Sequence, residues 1–275
     1  MIFPPSFNPQ KIQVPHLITI PYSHYCELAR WALEHTKTEF REIKYAPGYH
    51  TNRVGHLRQN RSNRSETSFV GQESGVHSGR RKYAVPLVCM PDGQILRDSW
   101  EILEFSWGAA EPNWRKRFDQ ELGICVRQII YHAILTPEGN HLLEEMLEDA
   151  SLVERGLWMI LKNKVRGNIR KLMAITPENV AEAQKRVTQL FKEISDTLDQ
   201  RGGTIASNEG FGPTELAFSA LAAACLLPAN YANGAARLPA LEKFPQSFID
   251  FATQCRETPA GQFAMDCYEN QRVTA

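Results

Sequence analysis

The chain has 275 residues, enough for one large domain or two of ordinary size, and its apolar content of 43% and charged content of 23% are typical of a globular protein. Its 31 basic and 31 acidic residues balance, which argues against a general nucleic-acid binder or a binder of acidic membranes. No apolar run approaches the roughly 18 residues that a membrane span needs, and the first residues lack the basic and apolar regions of a secretory signal.

The six cysteines are scattered along the chain, without a C-x-x-C pair or a zinc-ligand spacing. This usage is typical of reduced thiols, so we expect a cytoplasmic protein.

The stretch from His16 to Glu34 predicts a short buried strand, a tight turn and an amphipathic helix. Ser23 stands where the N-cap residue of that helix should be. A strand that leads into a helix N-terminus presents free N–H groups and a positive dipole end, which favour an anionic group such as a thiolate or a carboxylate. Ser23 can therefore be either a plain cap or part of a binding site.

Residues 39–45 predict a second strand. Residues 46–82 then break every pattern, with many Gly, Ser and Asn residues and an excess of Arg and Lys. A loop of this length is either solvated or functional. Two interpretations stay open, a solvated loop and a segment whose arginines close over an anionic ligand.

Regular structure returns with a strand over Tyr83–Met90 that contains Pro86. The turn Pro91-Asp92-Gly93-Gln94 predicts a hairpin to a returning strand at 95–97. Asp98 and Ser99 open a helix from Trp100 to Trp107, with Glu101 three residues after Asp98 as in a capping box. The predicted order to this point is β-α-β-loop-β-β-α.

From about residue 113 onward the pattern predicts helices alone. Thr176-Pro177 marks the start of one helix, and Gly202-Gly203 marks its end. The stretch 214–227 is apolar nearly all round, which indicates a helix buried on most sides. The remaining predicted helices lie at 118–135, at 142–172 as one helix or two, at 244–255 and at 260–272.

This ordered set of motifs resembles the cytosolic glutathione transferases. The matching segments are LITIPYSHYCELARWALE, VPLV, DGQILRDSWEILEF, FGPTELAFSALAA and TPAGQFAMDCYENQR. The resemblance implies an α/β plus all-α protein, with a thioredoxin-like domain over 15–109 and a helical-bundle domain over 113–275. An extended arm at 1–14 and the insertion at about 46–82 lie outside the resemblance.

The resemblance also implies a binding site for glutathione. Ser23 falls where serine-type members keep the hydroxyl that activates the thiol. Val85 and a cis Pro86 would face the cysteinyl part of glutathione, while Asp98 and Ser99 would hold its γ-glutamyl end. For Asp98 and Ser99 the alternative is plain helix capping.

The sequence departs from the family pattern in three places. Thr19 occupies the position of the tyrosine in tyrosine-type members, which argues against that mechanism. Thr214 is followed three residues later by Ala217, so the usual Thr-x-x-Asp cap is incomplete. The stretch Ser23-His24-Tyr25-Cys26 has the spacing of a redox motif whose first cysteine is a serine.

Several other residues are candidates for accessory roles. Beside Ser23 they are Tyr22, His24, Tyr25 and Cys26. Candidates for the lining of a second-substrate pocket are Trp107, Tyr131 and Trp158.

We expect a glutathione-dependent transferase that acts on an apolar electrophile in detoxification, with glutathione as co-substrate, without a metal, and as a homodimer. One alternative is a carrier of the same fold for an acidic apolar ligand such as a tetrapyrrole, supported by the basic insertion. A second alternative is a thiol-disulfide oxidoreductase that uses Cys26.

Overall fold

The computed structural model describes residues 12–47, 84–146, 152–236 and 238–272, together with positions 50, 51 and 54. Most of the predicted arm at 1–14 and nearly all of the predicted insertion at 46–82 lie outside the described residues. The predicted domain boundaries at 15–109 and 113–275 stay predictions.

Four strands form one mixed sheet in the order β2-β1-β3-β4. The strands are β1 (His16–Thr19), β2 (Arg41–Lys44), β3 (Leu87–Cys89) and β4 (Ile95–Leu96). Helix α1 (His24–His35) connects β1 to the parallel strand β2, whereas β3 is antiparallel to both β1 and β4. The predicted combination of a parallel crossover and a terminal hairpin is therefore confirmed.

The hairpin between β3 and β4 has the predicted turn chemistry. The Asp92 carboxylate accepts a hydrogen bond from the Gln94 N–H at 2.9 Å, and Gly93 has φ +85°, a conformation that favours glycine. Strand β3 is shorter than predicted and begins one residue after Pro86, since proline has no N–H to donate to the ladder.

Most of the described residues that follow the sheet are helical. They are α2 (Ser99–Ser106), α3 (Pro112–Arg117), α4 (Gly123–Leu135), α5 (Asn140–Glu145), α6 (Leu152–Leu172), α7 (Pro177–Gln200), α8 (Pro213–Leu226), α9 (Gln246–Glu257) and α10 (Pro259–Asn270). The prediction of one helix over 118–135 is wrong in its first part, because residues Phe118–Leu122 form a π-helical turn before α4 begins. The stretch 142–172 divides between α5 and α6.

Helix α7 follows its sequence signals closely. Thr176 caps the helix by accepting a hydrogen bond from the Asn179 N–H at 3.2 Å, and Pro177 is the first helical residue. Its apolar stripe is buried, and Gly202 and Gly203, with φ +70° and φ +96°, follow its end.

Helix α8 is the centre of the molecule. Every residue from Thr214 to Leu226 is buried, as the uniform apolar pattern predicted, and the helix packs against α1, α4 and α10. The incomplete cap at its start has a substitute. The Glu215 carboxylate accepts hydrogen bonds from the N–H groups of Ile205, Ala206 and Ser207 at 3.0, 2.7 and 2.8 Å, which ties the preceding loop to the helix.

Candidate functional site

The turn between β1 and α1 presents Ser23 at the start of the helix. The Ser23 N–H donates to the Ile20 carbonyl at 3.0 Å, and its extended backbone, with φ −79° and ψ 121°, is that of an N-cap residue. However, the Ser23 side chain accepts no hydrogen bond from the N–H groups of α1. The hydroxyl therefore does not act as a helix cap, and the residue is half-buried.

Two further chain segments reach the end of the sheet at which Ser23 lies. Ile18 pairs with Leu87 between β1 and β3, and extending this register sets Val85 opposite Ile20. The Val85–Pro86 peptide bond is cis, as the resemblance implied. Val88 pairs with Leu96 between β3 and β4, and the same extension sets Asp98 opposite Pro86. The sheet thus brings Ser23, the Val85–Pro86 bond and the start of α2 to one end.

Asp98 is the N-cap of α2. One of its carboxylate oxygens accepts hydrogen bonds from the Trp100 and Glu101 N–H groups, at 2.9 and 2.8 Å. The Glu101 carboxylate accepts from the Arg97 N–H instead of the Asp98 N–H, so the predicted capping box is displaced by one residue. Asp98 is exposed and Ser99 is buried, which leaves the Asp98 carboxylate accessible to a ligand while it caps the helix.

His24 and Tyr25 turn toward α4. His24 Nε2 lies 2.9 Å from the Gly123 carbonyl, and the Tyr25 hydroxyl donates to the Asp119 carbonyl at 3.3 Å. Burial, aided by the Arg127 charge and opposed by the Gly123 hydrogen bond, lowers the pKa of His24 to about 3. His24 is therefore neutral at physiological pH, and its Nε2–H is the donor to Gly123. These contacts give it a role in docking α1 onto α4.

Gly123 explains how closely the two helices approach. A Cβ atom at this position would lie 2.2 Å from the Tyr25 hydroxyl oxygen, so a side chain cannot be added without moving the ring. The tyrosine and the glycine together set the distance between α1 and α4.

Cys26 is fully buried in the first turn of α1. Burial raises the pKa of its thiol to about 11, against the opposing effects of the Ile20 backbone, the Arg30 charge and a hydrogen bond with the Ser23 side chain. The thiol is thus protonated and inaccessible at neutral pH, which counts against a role as nucleophile. Tyr22 is half-buried and packs against the main hydrophobic cluster.

The candidates for the second pocket lie at different places. Trp107 stacks at 4.0 Å, between ring centroids, on His35, the last residue of α1. At 1.5 Å per residue, His35 lies about 16 Å along α1 from the start of the helix. Trp107 is therefore near the opposite end of α1 from Ser23, and its place in a second-substrate pocket stays a prediction. Trp158 packs against the main hydrophobic cluster and has a buried indole nitrogen without a hydrogen-bond partner among the described residues. Tyr131 lies on α4, two turns after Gly123.

Arg127 lies on the face of α4 that contacts α1, and it was not singled out from the sequence. Gly123, Arg127 and Tyr131 recur every fourth residue, so they share one face of α4. The Arg127 charge acts to lower the pKa values of His24, Tyr25 and Tyr131, in agreement with its place on this helix face. The only sequence feature that could have pointed to Arg127 as a site residue is its spacing of four residues from the candidate Tyr131 on the same predicted helix.

About one turn along α1 from Ser23 lies a buried ion network that was not predicted from the sequence. Glu27, on α1, is fully buried and accepts hydrogen bonds from Arg30 Nη1 at 2.7 Å and Arg272 Nε at 2.8 Å. Arg30 also pairs with Glu42 of β2 at 2.6 Å. The Thr19 hydroxyl donates to the same Glu42 at 2.6 Å, so it points into the network, in agreement with the argument against a tyrosine-type mechanism.

The described residues hold no arrangement of three or more His, Cys, Asp or Glu side chains suited to a metal ion. Within the same residues, none of the helices combines the length and the apolar character needed to cross a membrane.

A small mixed sheet joined to a helical bundle, with a cis-proline beside a strand-to-helix turn, is the architecture of the glutathione S-transferases. Comparison with solved structures supports this fold assignment. A glutathione S-transferase of Ceriporiopsis subvermispora, solved in complex with glutathione, aligns with 96% of this chain and 99% of its own, at 12% identity and a TM-score of 0.53.

Two further structures align over most of their length. The beta-etherase LigF of Sphingobium sp. strain SYK-6 is 15% identical, with 92% of this chain and 99% of that chain covered and a TM-score of 0.46. A Tau class glutathione S-transferase of mango, Mangifera indica, is 12% identical, with 95% and 99% covered and a TM-score of 0.44. No protein-family model and no curated protein matches the sequence.

Proposed function

We propose that the protein is a glutathione-dependent transferase of serine type. In this proposal glutathione binds at the end of the sheet where α1 and α2 begin and where the Val85–Pro86 bond lies. Its thiolate attacks an apolar electrophile. The proposal includes the homodimer and the co-substrate role of glutathione that the resemblance implies.

The observation that carries the proposal is the Ser23 hydroxyl, which stands at the start of α1 without capping it. A free thiol has a pKa of about 8.5 and is mostly protonated at neutral pH. A hydroxyl donor and the positive end of a helix both favour the thiolate, since each stabilises negative charge. Ser23 and α1 supply both at one point.

The rest of the tripeptide has matching groups at the same end of the sheet. The exposed Asp98 carboxylate would pair with the γ-glutamyl ammonium group. Because Asp98 already accepts from the Trp100 and Glu101 N–H groups, the Ser99 N–H would be the donor for the γ-glutamyl carboxylate. The backbone of Val85 would face the cysteinyl unit.

The two alternatives have less support. The oxidoreductase hypothesis requires a reactive Cys26, which is buried and has a raised pKa. The carrier hypothesis depends on the arginines of the insertion, which lie outside the described residues.

The variant Ser23→Ala tests the proposed function. A hydrogen bond to a charged group contributes about 1.5–3 kcal/mol, so kcat should fall roughly 10- to 100-fold. Glutathione affinity should stay within about twofold, since Ser23 would act on the thiolate and not on the rest of the tripeptide. The pKa seen in the pH profile of kcat/KM should rise.

The matched control is Ser106→Ala, which removes a hydroxyl that donates within α2 to the Ile102 carbonyl at 2.8 Å. It should keep the wild-type kcat. Equal turnover by Ser23→Ala and wild type would remove Ser23 from the mechanism.

A further inference from the structure

The α4 face that touches α1 continues past the contact. Gly123 meets His24 and Tyr25, and Arg127 and Tyr131 follow at one and two turns along the same face. Tyr131 in turn is close enough to Cys26 for the thiol to influence its pKa. Arg127 and Tyr131 therefore border the start of α1, where Ser23 stands.

Arg127 has an unusual environment for an arginine. Its Nε is buried without a hydrogen-bond partner, and none of the ion pairs among the described residues includes it. Buried charges in proteins are ordinarily paired, because desolvation without compensation is costly. Arg127, which is half-buried, thus has no ion-pair partner among the described residues.

Its neighbours are neutral hydrogen-bonding rings. Burial raises the pKa values of Tyr25 and Tyr131 and lowers that of His24, so both phenols keep their protons and the imidazole is uncharged at neutral pH. Both tyrosines remain half-buried and present ring surface. An arginine among aromatic rings suits a planar anion, since guanidinium binds carboxylates in bidentate fashion and stacks on rings. The nearby Asp119 charge acts on Tyr25, but it forms no ion pair with Arg127.

We propose that Arg127 holds the carboxylate of an acidic aromatic second substrate, with Tyr25 and Tyr131 against its ring. This rests on the proposed function, since it names the class of electrophile that the glutathione thiolate would attack. The bound carboxylate directs the substrate's electrophilic carbon toward Ser23.

The test compares two electrophiles that differ by a carboxylate, chlorodinitrobenzene and chlorodinitrobenzoate. With each, the thiolate forms a C–S bond, the C–Cl bond breaks and chloride leaves, while the thiol proton goes to solvent. The variants are Arg127→Met, Arg127→Gln and Arg127→Lys. The control Arg186→Met removes the same charge at an exposed position on α7, paired there with Glu182.

The measured quantity is the ratio of kcat/KM for chlorodinitrobenzoate to that for chlorodinitrobenzene. We expect Arg127→Met and Arg127→Gln to lower this ratio at least tenfold, about 1.4 kcal/mol. Arg127→Lys should retain most of it, and Arg186→Met should match wild type. A ratio that stays constant because both activities fall together would assign Arg127 to the glutathione thiolate and overturn the proposal, as would a ratio unaffected by any variant.

A binding measurement separates this inference from the proposed function. Dinitrobenzoate and dinitrobenzene are titrated into the glutathione-free protein, with tryptophan fluorescence as the readout. Preferential binding of dinitrobenzoate that Arg127→Met and Arg127→Gln abolish supports the anion site even if no conjugation occurs. Loss of conjugation with both electrophiles in the wild type would contradict the proposed function alone, and equal affinity for the two probes would contradict the anion site alone.

Discussion

Replacing Arg272 by Met should destabilise the protein strongly, although the residue lies near the C-terminus. Its guanidinium reaches α1, where Nε donates to Glu27 and Nη1 to Glu34, and it lies 5.4 Å from the centroid of the Trp31 ring. Burial acts to lower the pKa of Arg272, but the charges and hydrogen bonds of Glu27 and Glu34 outweigh it and raise the pKa overall. The native state therefore holds this arginine charged.

The expected loss of unfolding free energy depends on how Glu27 is left when its ion pair with Arg272 is removed. Removing one partner of a buried ion pair costs about 3–5 kcal/mol, because the other charge remains buried. Glu27 would keep the Arg30 guanidinium at 2.7 Å and the Ala232 N–H at 3.1 Å, so the low end of that range applies. We expect roughly 3 kcal/mol, or a fall in Tm toward the low end of about 6–12 °C for a chain of 275 residues.

The assay is thermal and urea unfolding of Arg272→Met beside the control Lys192→Met, which removes an exposed charge paired with Asp196 on α7. The control should unfold close to the wild-type Tm. Double-mutant cycles with Glu27→Gln and Glu34→Gln should give the larger coupling energy for Glu27, which is fully buried, whereas the Glu34 side chain is 30% exposed. A Tm for Arg272→Met equal to that of the control would show that the buried ion pair does not stabilise the fold, and a larger coupling to Glu34 would show that Glu27 is not its main partner.

Three further outcomes follow from the contacts of α1. Gly123→Ala should lower Tm, although Gly→Ala within a helix ordinarily stabilises by about 1 kcal/mol, because the new Cβ would lie 2.2 Å from the Tyr25 hydroxyl; a raised Tm would contradict this. His24 has a pKa of about 3 when folded against 6.5 as its ordinary value, so its contribution to stability is complete above about pH 6.5 and declines as the pH falls toward 3, by at most about 1.4 kcal/mol per pH unit. His24→Gln should therefore show a shallower loss of urea stability between pH 7.5 and pH 5 than wild type, and equal slopes would exclude the histidine as the cause. All six cysteines are buried, so a thiol reagent should label the native protein slowly and label six thiols in denaturant; rapid labelling of Cys26 in the native state would revive the oxidoreductase hypothesis.

The elements that the sequence predicted well depend on local interactions. Helix α7 is an example, since its cap at Thr176, its proline at the first position and its terminal glycines are all within the segment itself. The alternation of strands and helix around Ser23 likewise follows from apolar patterning. The π-helical turn at Phe118–Leu122 was missed because one additional residue per turn hardly changes an apolar pattern.

The parts of the site that were missed depend on contacts between distant residues. Arg272 and Glu27 are 245 residues apart in sequence, and His24 and Gly123 are 99 apart. No pattern within a window of helical length contains both partners. A histidine or an arginine in such a window gives no information about its partner, so the role of His24 and the significance of Arg127 became visible only in the folded chain.

The central claim is that glutathione binds with its sulfur at the Ser23 hydroxyl, and a crystal structure of the protein soaked with glutathione tests it most directly. We expect the sulfur within roughly 2.7–3.5 Å of the Ser23 Oγ, the cysteinyl unit against the Val85 backbone and the γ-glutamyl end at Asp98 and Ser99. Glutathione bound elsewhere, or with its sulfur turned away from Ser23, would contradict it.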